Sequence, residues 1–467
     1  MSATAIVLAA GEGTRMRSRH PKVVHRMLGR PLVWWSVTAA RKAGVGRIVV
    51  VVGNGADEVR AVFAGDDDVE FVEQAERLGT GHAVKVVRDR LGGLSGPIVV
   101  LTGDSPLIRP ETIADLVAHN KEGHYAATVL TMTPPNPRGY GRVVFGTDGT
   151  IKAIVEDKDC TERQRKELSE CNSGIYCFCG RRLSASIDRI GCDNAQGEYY
   201  LTDMVSIFRE EGQPVSSIPC CDCSELLGVN SRRQLAEATR VMQRRINGEL
   251  MDAGVTMLDP DQVWVGPEVE VGRDTELLPQ TMLWGTTRVG EECVIGPNTR
   301  LTDTRVGDRS VVEETVAVEA RIDDDVTCGP RAYLRPGTHL MDGSKAGTHV
   351  EIKKSTIGPG SKVPHLSYIG DATVGSDVNI GAGTITCNYD GTNKHPTVIG
   401  DGTFVGSDTM LVAPVTLGAH VTTGASSCIT RDVPDGALAV ERSRQTIIEG
   451  YGTRKAARDA ADEEKGE

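Results

Sequence analysis

Two different periods of hydrophobicity divide this chain. Over residues 1–228, short β-branched runs alternate with stretches whose apolar residues recur three and four positions apart. Ala5–Ala9, Arg47–Val52 and Pro97–Thr102 read as strands, and Pro31–Ala43, Gly81–Leu91 and Glu111–Asn120 as helices. Strands alternating with helices of this length predict an α/β Rossmann-like domain, a mostly parallel sheet covered on both faces. Ligands of such sheets lie at the carboxyl ends of the strands. Chemistry is therefore expected in the loops Ala10–Arg17 and Gly103–Ile108. Next, Leu235, Ala238, Met242, Ile246 and Leu250 mark one helical face, and 229–255 is expected to be a connecting helix.

After about residue 260 the period becomes six. Ile399, Val405, Leu411, Leu417, Thr423 and Ile429 stand six apart, with glycine following at 400, 406, 418 and 424. Thr403, Thr409, Val415, Val421 and Ser427 fill the fifth slot. Val374/Ile380, Val265/Val271 and Val289/Ile295 repeat the pattern. Such a repeat suits a left-handed parallel β-helix over 256–451, one aliphatic per face pointing inward and a small residue at each tight corner. Within Val289–Val326 the spacing falters and acidic residues accumulate; irregular spacing turns are expected there. The charged, Ala-rich tail, 452–467, is expected to be frayed or disordered.

A length of 467 residues exceeds one ordinary domain, in keeping with this division. A hydrophobic share of 39% with 25% charged residues fits a soluble globular protein. No apolar run approaches the roughly 18 residues of a membrane helix. The opening run AIVLAA has no basic leader and enters a Gly-rich turn, so it reads as a first strand and not an export signal. A net charge of −12 argues against nucleic-acid binding, though local Lys and Arg leave anionic small substrates open. Of twelve scattered cysteines only Cys220 and Cys223, with Cys221 between them, form a C-x-x-C. No second pair or histidine stands at ligand spacing, so reduced structural thiols in a cytoplasmic protein are expected.

The first loop reads Leu8-Ala9-Ala10-Gly11-Glu12-Gly13-Thr14-Arg15-Met16, followed by Pro21-Lys22. Small residues let backbone N–H groups approach phosphate oxygens, while Arg15 and Lys22 can neutralise a triphosphate. Asp104 ends a buried strand, where one carboxylate plus substrate phosphates would suit magnesium. In the repeat region, polar residues interrupt the hexads: Arg335, Lys353, His365, Tyr368, Asn379, Asn388, Tyr389 and Lys394. A solenoid core has no need of such cations and amides; a sugar phosphate does. His365 is the natural base.

The segments LAAGEGTRM, PKV, EQAERLGTGHA, GDSPLI, GYGRV, VEDKD, NSGIY, GEYYLTD and GVN occur in this order. The whole chain resembles the bacterial bifunctional N-acetylglucosamine-1-phosphate uridyltransferase/glucosamine-1-phosphate acetyltransferases. That resemblance implies synthesis of UDP-N-acetylglucosamine from glucosamine 1-phosphate, acetyl-CoA and UTP with Mg²⁺, in a homotrimer. It implies that Leu8, Ala9, Ala10, Gly11, Gly13, Arg15 and Lys22 cradle UTP, and that Gln74, Gly79 and Thr80 read uracil. Asp104 and Asn230 would bind Mg²⁺, and Gly141, Glu156 and Asn172 the amino sugar. In the solenoid, Arg335, Lys353 and Lys394 would hold the sugar phosphate, with Tyr368, Asn379, Asn388 and Tyr389 around the sugar. His365 would be the base, supported electrostatically by Glu351. Ala382 would serve the oxyanion or coenzyme A side, and Ser407, Ala425 and Arg442 the coenzyme A groove. The family usually has Thr where Ser173 stands, and Thr348-His349 and Glu441–Arg444 also depart from its pattern. Two other readings remain open: a pyrophosphorylase whose repeats only assemble subunits, and a non-catalytic scaffold.

Overall fold

The computed structural model describes residues 2–463. They divide into two compact units, one within Met1–Leu250 together with Trp264–Pro267, the other within Met251–Val263 and Glu268–Glu467.

The first unit is built on β1 (Thr4–Leu8), β2 (Arg47–Val52), β3 (Val69–Glu73), β4 (Pro97–Thr102), β5 (Ala127–Met132), β6 (Cys171–Cys179) and β7 (Val215–Pro219). Their order across the sheet is β7-β5-β6-β4-β1-β2-β3. All neighbours run parallel except β6, which is antiparallel to both β4 and β5. β4 and β5 are buried almost throughout, as their Val- and Leu-rich sequences require when helices cover both faces. Helices α1 (Leu32–Lys42), α2 (Thr80–Leu91) and α3 (Pro110–Glu122) supply the cover. Two hydrophobic clusters form, one on each side of the sheet. A pair of short strands, Arg142–Phe145 and Ile151–Val155, extends the far end of β6. Helix α4 (Arg232–Asp252) closes this unit, and Ala238, Met242, Gln243 and Asn247 are buried.

The second unit is a three-faced parallel β-helix, the architecture of the hexapeptide class. Its three sheets are built of strands of two to four residues, successive strands of a sheet lying one coil apart. The hexad aliphatics Ile399, Val405, Leu411, Leu417 and Ile429 all lie in the core. Thr and Ser of the fifth slot are buried too, and their hydroxyls donate to the carbonyl of the next coil: Thr403 to Gly418, Ser355 to Ile369, Thr338 to Ile352. Buried polar groups must be paired, which explains why this slot takes a hydroxyl as readily as valine.

Two expectations fail here. Residues Val289–Val326 are not irregular: the ladder runs unbroken from Leu277–Ile295 to Ile295–Val312 to Val312–Cys328. Only the coil shortens. Asp274, Glu292, Arg309 and Asp325 take left-handed φ at successive passages of one corner, with spacings falling from 18 to 17 to 16 residues. Five-residue steps such as Leu301 to Val306 blur the sixfold pattern while keeping the register. The tail is the second failure. Residues Tyr451–Glu463 form a helix whose every residue is exposed. Arg454, Lys455, Ala456, Ala457, Arg458, Ala460 and Ala461 are strong helix formers, so local propensity wins without any core contact. The rest of the expected tail, 464–467, lies outside the described residues.

Candidate active sites

In the first unit the ends of β1 and β4 lie side by side, and Gly103 N–H donates to Leu8 O at 2.9 Å. A Cβ on Gly103 would stand 3.1 Å from that carbonyl, so glycine lets the two loops touch. Ser36, buried on α1, donates to Thr102 O at 3.0 Å and fixes the strand end that carries Asp104. Val229 N–H donates to Asp104 O at 2.8 Å, bringing Asn230 alongside. The phosphate loop leaves β1 at Ala9 and turns at Gly13, which has φ +64°. A side chain there would collide with Cβ of Lys22. The absence of one lets the Lys22 stem cross the loop, and its Nζ donates to Asp104 Oδ2 and, at 2.9 Å, to Asn230 Oδ1. Both oxygens thus converge on one point.

These residues wall a cleft of about 600 Å³ lined by Leu8, Ala10, Gly11, Lys22, Gln74, Gly79, Thr80 and Asp104. Gln74 is buried, and its Nε2 lies 3.1 Å from Gly79 O and 3.0 Å from His82 Nδ1. Thr80 Oγ1 accepts from Leu201 N–H at 3.1 Å, tying the start of α2 to the GEYYL segment. Arg15 is exposed near Tyr140, whose hydroxyl burial pushes above its ordinary range.

The three residues expected at the amino sugar also meet. Asn172 N–H donates to Gly141 O at 2.8 Å, and a Cβ on Gly141 would lie 3.4 Å from Glu156 Oε2. Burial pushes the Glu156 carboxyl up; Thr202, donating at 3.3 Å, opposes this, and Asp159, Asp203 and Asp157 add to it. Ser173 is structural: its hydroxyl donates to Leu130 O at 2.6 Å and accepts from Ile175 N–H. Both bonds need only the hydroxyl, so the missing methyl costs neither.

In the second unit Lys353 and Tyr368 sit on neighbouring strands of one sheet and Arg335 just past the end of the strand before them, with Tyr333–Glu351–Tyr368 in register. Lys353 is buried, and its Nζ lies 3.2 Å from Asp371 Oδ2. Asn388 Nδ2 donates to the same oxygen at 2.5 Å and lies 3.4 Å from the Tyr368 hydroxyl. Gly370 makes room for this, because a Cβ there would collide with the Tyr368 hydroxyl. Residues 388–396 interrupt the coil as a small hairpin, in which Tyr389 pairs with Lys394 and Asp390 caps the turn. Lys394 on this hairpin lies close enough to Lys353 and Arg335 to feel their charge. The neighbouring Lys353 and Arg335 push Lys394 below its ordinary range, as one cation does beside others. Three cations share one field.

His365 occupies a different position. It is exposed at the end of strand Lys362–His365, and its carbonyl accepts from Gly383 N–H at 3.4 Å. From there one corner climbs coil by coil. Asp408 N–H donates to Ala382 O at 2.7 Å, Ser426 N–H to Ser407 O at 2.8 Å, and Arg442 Nη1 to Ala425 O at 2.9 Å. Ala382, Ser407, Ala425 and Arg442 therefore form one file headed by His365. Within one chain two expected residues lie apart from their groups. Glu351 pairs with Arg335 at 2.9 Å and not with His365, since the two acidic and basic strands are adjacent while His365 lies on another sheet. Asn379 belongs to the sheet of His365, one strand on, and not to the Tyr368–Asn388 group.

Several residues escaped sequence reasoning. Asp371 is the acidic hub of the second site, and Tyr140 and His82 back the first. Glu12 and Arg77 form a 2.6 Å ion pair in the cleft lining. Tyr140 and His82 lay inside recognisable motifs, but only the fold reveals their partners.

With this geometry in view, the comparisons are decisive. The bifunctional protein GlmU of Heliobacterium modesticaldum is 51% identical over 452 residues, covering 97% of this chain and 98% of the relative. The chain belongs to the GlmU family. The GlmU proteins of Carboxydothermus hydrogenoformans, 48% identical, and Trichlorobacter lovleyi, 47% identical, cover 96% and 97% of this chain and 99% and 98% of their own. Residues 5–197 also match the MobA-like NTP transferase domain. The protein is thus a two-domain transferase, a nucleotidyltransferase followed by a hexapeptide β-helix. Among the described residues no helix is long and apolar enough to cross a membrane.

Proposed function

We propose that the two units transfer two groups to one amino sugar. The β-helix acetylates glucosamine 1-phosphate with acetyl-CoA, and the α/β unit then transfers UMP from UTP to N-acetylglucosamine 1-phosphate, releasing pyrophosphate. The observation that carries this reading is the shared field of Arg335, Lys353 and Lys394 on a solenoid that also bears the His365 file. A solenoid used only for assembly has no use for either.

In uridylyl transfer the sugar phosphate oxygen attacks the α-phosphorus and pyrophosphate leaves. Alignment and charge neutralisation suffice, so no protein nucleophile is required. Lys22 and Arg15 offset phosphate charge, and Gly141, Glu156 and Asn172 orient the sugar. The oxygens of Asp104 and Asn230, which here both accept from Lys22 Nζ, are the hard donors that magnesium prefers and would hold it with Lys22 turned to the substrate phosphates. Mg²⁺ held there would supply charge stabilisation to the phosphoryl oxygens.

In acetyl transfer the amine attacks the thioester carbonyl, a C–N bond forms and the C–S bond breaks. His365 accepts the surplus proton, which leaves with coenzyme A as its thiol. The file Ala382–Ser407–Ala425–Arg442 gives an extended coenzyme a track that ends at the imidazole. Homotrimer assembly and a cytoplasmic setting, where UTP and acetyl-CoA are at hand, belong to the same proposal. The test is direct. Glucosamine 1-phosphate, acetyl-CoA, UTP and Mg²⁺ should yield UDP-N-acetylglucosamine and pyrophosphate. Omitting acetyl-CoA should stop the reaction unless N-acetylglucosamine 1-phosphate is supplied. Turnover of the unacetylated sugar to the same extent without acetyl-CoA would overturn it.

A further inference from the structure

We propose that His82 selects the base of the nucleotide by locking the side-chain amide of Gln74 in one orientation. This rests on the reading that Gln74 meets the uracil edge. Gly79 O can only accept, so the atom 3.1 Å from it is the amide nitrogen, as a donor. An amide NH₂ has two hydrogens and no free acceptor. Its second hydrogen must therefore go to His82 Nδ1 at 3.0 Å, which places the imidazole proton on Nε2. Both amide hydrogens are then engaged. Oε1 has no donor among the described residues and is not among the buried unpartnered atoms, so it opens onto the cleft that Gln74 lines.

Uracil presents N3–H, a donor; cytosine presents a bare N3, an acceptor. A fixed Oε1 accepts from the first and repels the second. Without the His82 lone pair only the Gly79 carbonyl still favours this orientation, the turned-over amide becomes accessible, and the difference between the bases narrows. The imidazole is itself held in place. His82 lies in the first turn of α2, its ring tilted 37° against Tyr199 at 6.4 Å. That tyrosine is clamped by Gly81 N–H to Tyr199 O at 2.8 Å and Tyr199 N–H to Leu78 O at 2.7 Å. His82 does not line the nucleotide cleft; it is a positioning residue.

The test compares kcat and KM for UTP and CTP in His82→Leu, His82→Asn and Gln74→Ala, each checked for folding by thermal melting. In His82→Leu the KM for UTP should rise about tenfold, the worth of one oriented hydrogen bond, with kcat little changed. The preference for UTP over CTP should fall by a similar factor. His82→Asn offers a carbonyl oxygen near the position of Nδ1 and should restore both. Full discrimination in His82→Leu, or equal damage in His82→Asn and His82→Leu, overturns the proposal. If Gln74→Ala leaves UTP binding and base preference untouched, the reading of Gln74 fails first.

Discussion

The two sites are assembled by opposite means. In the α/β unit Lys22, Gln74, Asp104, Glu156, Asn172 and Asn230 come from six separate loops and strand ends. Gly13 and Gly103 are needed to bring those segments into contact. In the β-helix position follows from counting: Glu351 and Tyr368 are neighbours because one coil separates them, and the corner file repeats at each turn. A site of the first kind is a convergence that one misplaced loop destroys. A site of the second kind is a ladder whose rungs are independent, so its residues can fail one at a time.

Replacements at the two centres should separate the activities. His365→Ala should cut acetyl transfer roughly 10²–10⁴-fold, the usual contribution of a general base, and leave uridylyl transfer as it was. Asp104→Ala should lower uridylyl transfer by roughly 10²–10³-fold, as loss of one charge-stabilising group does, with acetylation intact. Assaying each half-reaction alone checks both. Parallel losses in the two reactions would remove the contrast.

Smaller effects probe independence of the rungs. Lys394→Ala removes a cation from the hairpin without touching the coil, and charge-assisted bonds to phosphate are the strong ones. We expect the KM for glucosamine 1-phosphate to rise about 10–100-fold, with the KM for acetyl-CoA unchanged. A matching rise for acetyl-CoA would mean that phosphate field and corner file act as one body.

How far each site was legible follows from the same contrast. The hexads revealed the solenoid because a sixfold repeat survives in a single sequence, and the interrupting cations marked the second site. What counting missed was local. Glu351 was linked to His365 by family resemblance, and within one chain the sheet puts Glu351 beside Arg335. Asn379 was grouped with Asn388, although an intervening corner sends it to another sheet. Val289–Val326 lost its pattern only because coils of 16 and 17 residues replaced those of 18. In the α/β unit Asp104 and Lys22 were readable from the loops, but Gln74, Asn172 and Asn230 came from family resemblance. No periodicity links residues 74, 172 and 230. Their positions exist only after β1, β2, β3, β4 and β6 pair, so the role of His82 behind Gln74 could not be read from spacing.

Glu156→Gln offers the finest distinction, because it sets stability against binding inside the convergent site. Burial holds the Glu156 carboxyl above its ordinary range. Between the ordinary and the raised value the folded chain therefore binds more protons than the unfolded one, and stability falls as pH rises through that window. Above the ordinary carboxyl range burial of this group is a standing cost, and glutamine, still able to accept from Thr202, removes it. The variant should melt about 2–4 °C higher at pH 7, the shift that roughly 1 kcal/mol produces in a unit of this size. That gain should vanish below pH 4, where the wild-type carboxyl is protonated in both states. The same replacement should raise the KM for N-acetylglucosamine 1-phosphate, since a neutral amide accepts more weakly from sugar hydroxyls than a carboxylate. A variant that melts lower at pH 7 would show that Glu156 is retained for folding. Higher melting with weaker sugar binding is what a convergent site predicts, because its polar groups are buried for the substrate and not for the fold.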